Sequence, residues 1–469
     1  MINNDESLSP AIKATIRMLI MLVSLLANRF KINSENSSKP PADDKNHKRG
    51  SKKNKSGKKP GGQNGHVGAK LKKVEEPDKT VEIKIDKQRL PKGNYQEVGY
   101  EVRQVFDINI TREITEYRAQ IVEDQNGRRF VAEFPDFVKS EVKYGIEVKT
   151  NAVYMSQFQL LPYQRIQDQF ADQMDLPLST GTIFNFNKEA YDLLASFDAI
   201  SKVMLMNAKL LHADETGINV NKVRIWLHSA SNEKWTYFYP HAKRGSEAMD
   251  AIGILAKFIG VMCHDHWKPY YKYTCTHALC NAHHLRELTY AEEEDKQKWA
   301  GLMKILLLEI NKAVNDAGGK ISPSIAQEYR LKYRALLTEA GQNECPPPED
   351  IRKKGQKGRI KKSKSRNLLE RLTKYEDDVL RFMENDFVPF TNNLGENDLR
   401  MTKVQQKISG CFRSMEGAYI FCRVRGYLST CRKHGVNATE ALRLLFQGKL
   451  PVFVTEAVKS EKLVQQSAE

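Results

Sequence analysis

The chain has 469 residues, a formal charge of +16 and seven cysteines, all in its second half. A chain of this length buries a sizeable core and divides into two to four units, and an odd cysteine count without regular spacing excludes a secreted disulfide framework. The longest apolar stretch, MLIMLVSLLA at 18–27, is ten residues long, short of the roughly 20 that a membrane span needs; with no small-residue cleavage site after it, free thiols, no membrane and a cytoplasmic location are expected.

Residues 1–32 predict a helix with a zipper-like seam, because Ile12, Ile16, Leu19, Val23 and Leu26 alternate spacings of four and three. Residues 33–78 are rich in Ser, Pro, Gly and Lys and predict a flexible basic arm that carries Lys52, Lys53, Lys58 and Lys59. The positive charge is concentrated here and in a second run: 39–73 carries +10 and 352–366 carries +9, which leaves about −3 for the remainder. Two such runs point to a polyanion partner, since neutralising phosphates releases counterions.

Within 79–150 the period changes to two. VEIKI, YEVRQVFDI, EITEYRAQIVE and RRFVAEF alternate apolar and polar residues, and Asn126-Gly127 offers a hairpin turn, so a small antiparallel β module with its own core is expected over 79–135. Residues 151–200 read as two helices, YQRIQDQFADQM and TGTIFNFNKEAYDLL, around a turn holding Pro177, with Ser179 as N-cap of the second. That is the layout of a helix-turn-helix, in which Ser179, Thr180, Thr182 and Asn185 would face a DNA groove.

From 201 to 292 the order strand, strand, strand, helix, strand, strand predicts a mixed sheet with a covering helix. Trp226 and Trp235 are expected in its core. The segment 293–388 is helical throughout, with Trp299, Leu302, Met303, Leu306, Ile310 and Val314 on one face and the second basic run as a loop; 389–469 returns to helices, one starting at Asn393.

The acids give this layout a chemistry. Asp214 is expected to end the first strand of the sheet and Asp265 the fourth, with Glu396 in the first turn of the Asn393 helix. Ligand sites in such sheets form at the carboxyl ends of strands. Carboxylates gathered there repel, by on the order of 4 kcal/mol for a pair about 4 Å apart, and two Mg²⁺ or Mn²⁺ ions would compensate while keeping positions for waters and phosphate oxygens. Glu215, Asp250 and Asp398 compete for the role, but Glu215 should point to the opposite face of its strand and Asp398 to a different face of its helix. Arg400, Lys403 and Lys407 recur at four, seven and eleven residues after Glu396 and form a basic stripe suited to a DNA backbone. The cysteines and histidines between Cys263 and His284 lack paired Cys-x-x-Cys spacing, so zinc is not expected. GKKPGGQNGH has neither Walker spacing nor a preceding strand, which disfavours an ATPase.

Five stretches, SKPPADDKNHKRGSKKNKSGKKPGGQNGH, LLHADETGINV, CNAHHLREL, NNLGENDLRMTKVQQKISGCFRS and CRKHGVNATEALRLL, resemble in order the large transposases of the bacterial insertion sequence sixty-six family. The resemblance implies a multidomain α+β protein with a ribonuclease-H-like core, an all-helical insertion, and Mg²⁺-dependent cutting and joining of DNA. It further implies an Asp214, Asp265 and Glu396 triad, with Cys280-x-x-His283 as a supporting signature beside it. The implied partners are double-stranded DNA at transposon ends and target, a second copy or more of the chain, and accessory proteins of the same element. One departure stands out: the family's Cys-x-x-Cys zinc module has no counterpart, because no cysteine precedes Cys263. A nuclease of the same fold without strand transfer, and a non-catalytic DNA-binding derivative, are the alternatives.

Overall fold

A computed structural model describes residues 71–344 and 362–466, together with seven positions between 12 and 23. Contacts divide the chain into two units, 48–115 and the remainder. In the first unit the described residues form one short 3₁₀ turn, Lys87–Arg89, and no strand. The predicted β module is therefore corrected. Only β1 (Ile121–Glu123) and β2 (Arg129–Val131) pair, antiparallel, across a five-residue loop, in which the Asp124 carboxylate accepts from the N–H groups of Asn126 and Arg128, each at 2.9 Å. Alternation gives a strand one apolar face, but that face is stabilised only when a second layer covers it. Val81, Ile83, Ile85, Val98, Val102 and Val105 are all exposed, so the module has no core of its own.

The seven N-terminal positions are helical, and Ile12, Leu19 and Val23 of the seam are exposed. Leu26 and the arm lysines 52, 53, 58 and 59 lie outside the described residues.

In the second unit, α1 (Ile146–Val153), α2 (Tyr163–Met174), α3 (Thr180–Leu193) and α4 (Ala195–Met206) come first. Asp175 stops α2 in the left-handed region at φ 47°, and Ser179 Oγ accepts from the Thr182 N–H at 3.0 Å to start α3, satisfying one of the free N–H groups of the helix end. Ile166, Phe170, Ile183 and Phe186 bury the faces of this hairpin.

The sheet comprises β3 (Leu210–Val220), β4 (Val223–Ser231), β5 (Thr236–His241), β6 (Val261–His264) and β7 (Thr276–Leu279), in the order β5-β4-β3-β6-β7. The first three strands are antiparallel, and β6 and β7 run parallel to β3. Contrary to expectation, β3 does not end at Asp214. Its parallel pairing with β6 stops at His212↔Cys263, but antiparallel pairing with β4 continues from Asp214↔Ser229 to Val220↔Val223. Asn221 and Lys222, both at positive φ, close that ribbon in two residues. Trp235 is buried as expected, whereas Trp226 is only half-buried, a second correction: its ring carries Arg224 and Arg244 at 4.9 and 4.7 Å.

Helix α5 (Ser246–Ile252) precedes β6, and α6 (Asn281–Glu293) follows β7. The helical block then contains α7 (Lys298–Asp316), α8 (Pro323–Glu339), α9 (Lys364–Lys374) and α10 (Glu376–Leu380). Its core of Trp299, Met303, Leu306, Ile310, Tyr333 and Leu372 joins Val261, Cys263 and Leu279 of β6 and β7. Leu302 is 55% exposed, because it lies about a quarter turn from the centre of the buried stripe. Most of the second basic run is outside the described residues, but its end forms the first turn of α9 instead of a loop, capped by Ser363 and with Lys362 and Arg366 paired to Glu370.

Helices α11 (Asn393–Ser409), α12 (Met415–Lys433), α13 (Ala438–Phe446) and α14 (Val452–Gln466) complete the unit. The turn between α11 and α12 is tied to the β3 ribbon: the Asn221 N–H donates to the Phe412 carbonyl at 2.8 Å and the Phe412 N–H to that of Asn219 at 2.9 Å.

Candidate active site

Strand β3 presents alternate residues to two layers. On one side is α11. His212 Nδ1 lies 2.6 Å from Asn392 Oδ1, and the Asn392 amide donates to the Ala213 carbonyl at 3.1 Å. A Cβ at Gly395 would stand 3.3 Å from the His212 Cβ, so glycine lets the first turn of α11 approach the strand, and Glu396 follows directly. On the other side, Glu215 has a side chain only 1% exposed. Arg244 donates to its Oε1 at 2.6 and 2.9 Å, and the Tyr270 hydroxyl to its Oε2 at 2.6 Å. The Arg244 guanidinium is also stacked 4.4 Å from the Trp267 ring centroid and 4.7 Å from that of Trp226.

Asp214 is half-buried in β3, and its Oδ1 accepts from the Glu215 N–H at 2.8 Å. Asp265 is the first residue after β6, with Oδ1 accepting from the Trp267 N–H at 3.0 Å. Glu396 stands in the first turn of α11. Burial, and then the charges of Glu215, Asp265 and Glu396, hold the Asp214 carboxyl well above the usual carboxylate range. The three acids thus share one electrostatic environment, although their oxygens do not converge as closely as the 4.8 Å cluster described below.

The six acids divide sharply. Glu215 has Arg244; Asp250 has Lys272 at 2.5 Å and Tyr273; Asp398 has Lys433 at 2.8 Å and Ser429. Among the described residues, no Lys or Arg comes within 4.0 Å of Asp214, Asp265 or Glu396. An all-carboxylate donor set with no protein cation fits hard divalent ions.

Cys280 caps α6 and His283 lies in its first turn. Their Sγ and Nδ1 are 3.9 and 3.8 Å from Glu396 Oε1, and the three donor atoms lie within 4.8 Å of one another. Burial pushes the Cys280 thiol up to about 11 and lowers the His283 imidazole against the pull of Glu396 and Asp265. Ser179, Thr180 and Asn185 are exposed at the start of α3, with Thr182 half-buried beside them. Arg400, Lys403 and Lys407 are all exposed on α11, and the Lys403 ammonium also donates to the Gly217 carbonyl of β3 at 3.2 Å. Sequence reasoning missed Arg244, Tyr270, His212 and Asn392. No local signal marks them, because each acts on a partner 29 to 180 residues away.

Residues 143–420 match the family described as Transposase IS66 family, and residues 4–72 match a family of unknown function, DUF6444. The chain is also 36% identical over 70 residues to the protein named "Uncharacterized protein y4jO" of Sinorhizobium fredii, a match covering 15% of this chain and 22% of that one. The first of these matches spans more than half of the sequence and contains the whole sheet, the helical block, α11 and all six acids: the chain belongs to the IS66 family of transposases.

Proposed function

We propose that the chain is a DNA transposase that binds the terminal inverted repeats of an insertion sequence and performs metal-dependent cleavage and strand transfer, with Asp214, Asp265 and Glu396 as catalytic acids. The observation that carries this reading is the division of the six acids, in which these three have no Lys or Arg within 4.0 Å among the described residues. The strand order, three antiparallel strands followed by two parallel ones, supports a ribonuclease-H-like core, and the location of two acids where the parallel pairing ends supports a site there.

Two Mg²⁺ or Mn²⁺ ions bound by these carboxylates would supply the charge neutralisation that in-line phosphoryl displacement requires. The chain's own work is orientation. The Glu215 N–H fixes Asp214, the Trp267 N–H fixes Asp265, and the Asn392 contacts to β3 set the start of the helix bearing Glu396. Cys280 and His283 support Glu396 from α6. For DNA, we assign phosphate contacts to Lys52, Lys53, Lys58 and Lys59 of the arm and to Arg400, Lys403 and Lys407, and groove contacts to Ser179, Thr180, Thr182 and Asn185 of a helix-turn-helix. The active form is a homodimer or larger assembly on paired ends, in the cytoplasm.

The test is cleavage of end-sequence DNA and joining of pre-cut ends in Mg²⁺. Asp214→Ala, Asp265→Ala and Glu396→Ala should each lose both reactions and keep DNA affinity. Cutting retained by Asp214→Ala would overturn the assignment, and cutting without joining by the unmodified protein would reduce it to a nuclease.

A further inference from the structure

We propose that Cys280, His283 and Glu396 form a second, soft-metal site that binds a thiophilic divalent ion such as Zn²⁺, and that occupation of this site draws Glu396 away from the other two acids. The inference rests on the reading of Glu396 as the third catalytic acid. Local spacing gives only two ligands, Cys280 and His283 on one helix turn; the third arrives from α11, 116 residues farther along.

Three features point to an ion. First, this is the group of three Cys, His or carboxylate donors that converges within 4.8 Å among the described residues. Second, His283 Nδ1 is a buried nitrogen with no hydrogen-bond partner, and it faces the Glu396 oxygen at 3.8 Å. Third, the site is structurally held: Cys280 Sγ accepts from the Asn392 N–H at 3.1 Å, so the residue that ties α11 to β3 also fixes the sulfur. A tetrahedral ion with bonds of about 2.0–2.3 Å sets its ligands roughly 3.3–3.5 Å apart. The observed 3.8 and 3.9 Å to Glu396, with all three donors within 4.8 Å of one another, are closed by side-chain rotation.

The donor set decides which ion is taken. A thiol, an imidazole and one carboxylate oxygen suit Zn²⁺, Cd²⁺ or Co²⁺ and not Mg²⁺, which prefers oxygen ligands. Three protein ligands leave a fourth position for water. On binding, the Cys280 S–H bond breaks, its proton leaves to solvent, and the sulfur pair forms the metal bond. Glu396 then carries a cation on the α6 side, and its remaining charge is less available to the ions shared with Asp214 and Asp265.

The probe is Co²⁺ added to the full-length protein in a Cys345→Ser, Cys411→Ser background, which removes the thiol outside the described residues and, among the described ones, the half-buried thiol elsewhere. One equivalent should give a thiolate-to-cobalt charge-transfer band that Cys280→Ser abolishes and that His283→Gln weakens at least tenfold in affinity, with thermal melts verifying that each variant is folded. Zn²⁺ should displace the band. It should also inhibit Mg²⁺-supported end cleavage more strongly in the parent than in His283→Gln, each measured against its own zinc-free rate. A folded parent that shows no band, or a band that survives Cys280→Ser, overturns the inference even if DNA is cut normally. A band with no DNA cutting under any condition keeps the metal site and overturns the transposase reading instead.

Discussion

The two faces of β3 carry adjacent acids with opposite electrostatic fates. Glu215 is enclosed by Arg244 and Tyr270, a pair that neutralises its charge and fastens the 241–246 and 267–270 segments to the strand. One residue away, Asp214 meets only its neighbour's N–H and the charges of other acids. Identical chemistry one step apart thus serves architecture on one face and, among the described residues, leaves a carboxyl without a Lys or Arg partner on the other. The lesson is that the missing partner, more than burial, nominates Asp214 for the proposed chemistry, since a buried charge kept for stability is paired.

That contrast can be attacked at four points. Asp214→Ala should reduce end cleavage by at least about 10³-fold, equivalent to several kcal/mol of transition-state stabilisation, while leaving the melting temperature unchanged or raised because repulsion is relieved. Mg²⁺ at about a hundredfold excess over its Kd should stabilise the parent by roughly 2.7 kcal/mol and this variant much less. A destabilised Asp214→Ala would mean that the acid was structural after all.

His228 lies opposite Glu215 in the β4 register, and burial lowers its pKa to about 4. With an unfolded value near 6.5, the unfolded chain binds the extra proton between these limits. The stability is therefore fully present above about pH 6.5 and lost as the pH falls towards 4, by up to roughly 3 kcal/mol. Urea midpoints measured across this range should fall less steeply for His228→Asn.

Glu215→Gln leaves Arg244, which is 40% exposed, without its carboxylate. Equilibrium unfolding should show a loss of about 2 kcal/mol, with cleavage reduced less than tenfold; a loss matching that of Asp214→Ala would erase the distinction between the faces. The smallest effect is expected from Asp398→Asn, which unpairs the half-buried Lys433. About 1 kcal/mol of stability should go, with cutting unchanged in the same end-cleavage assay.

Much of the core architecture was legible. The strand and helix order from 201 onwards, the Ser179 cap and the position of Glu396 in a first helical turn all follow from periodicity and cap chemistry, which are local properties. The extent of β3 was not, since whether a strand continues past Asp214 depends on what β4 offers across the sheet. The region 79–118 shows the same limit from the other side: its alternation is as regular as that of β4, yet Val81 and Ile83 have no layer to bury against. In the site, the acids were visible as residue types, but the cations that eliminate Glu215 and Asp398 belong to distant segments. The acceptor that the exposed Lys403 finds in the Gly217 carbonyl is equally remote in sequence.

The double attachment of α11 has a mechanical consequence. Asn392 anchors its start to His212 and Ala213, and Phe412 just beyond its end is hydrogen-bonded to Asn219 and Asn221. The third acid is therefore indexed to the first strand at both ends of its helix, like a rule pinned at two marks, and beyond the α6 contacts of Cys280 and His283 the long detour of chain from α7 to α10 has little share in aiming it. A backbone nick within that detour should leave two fragments that still assemble with Glu396 in register.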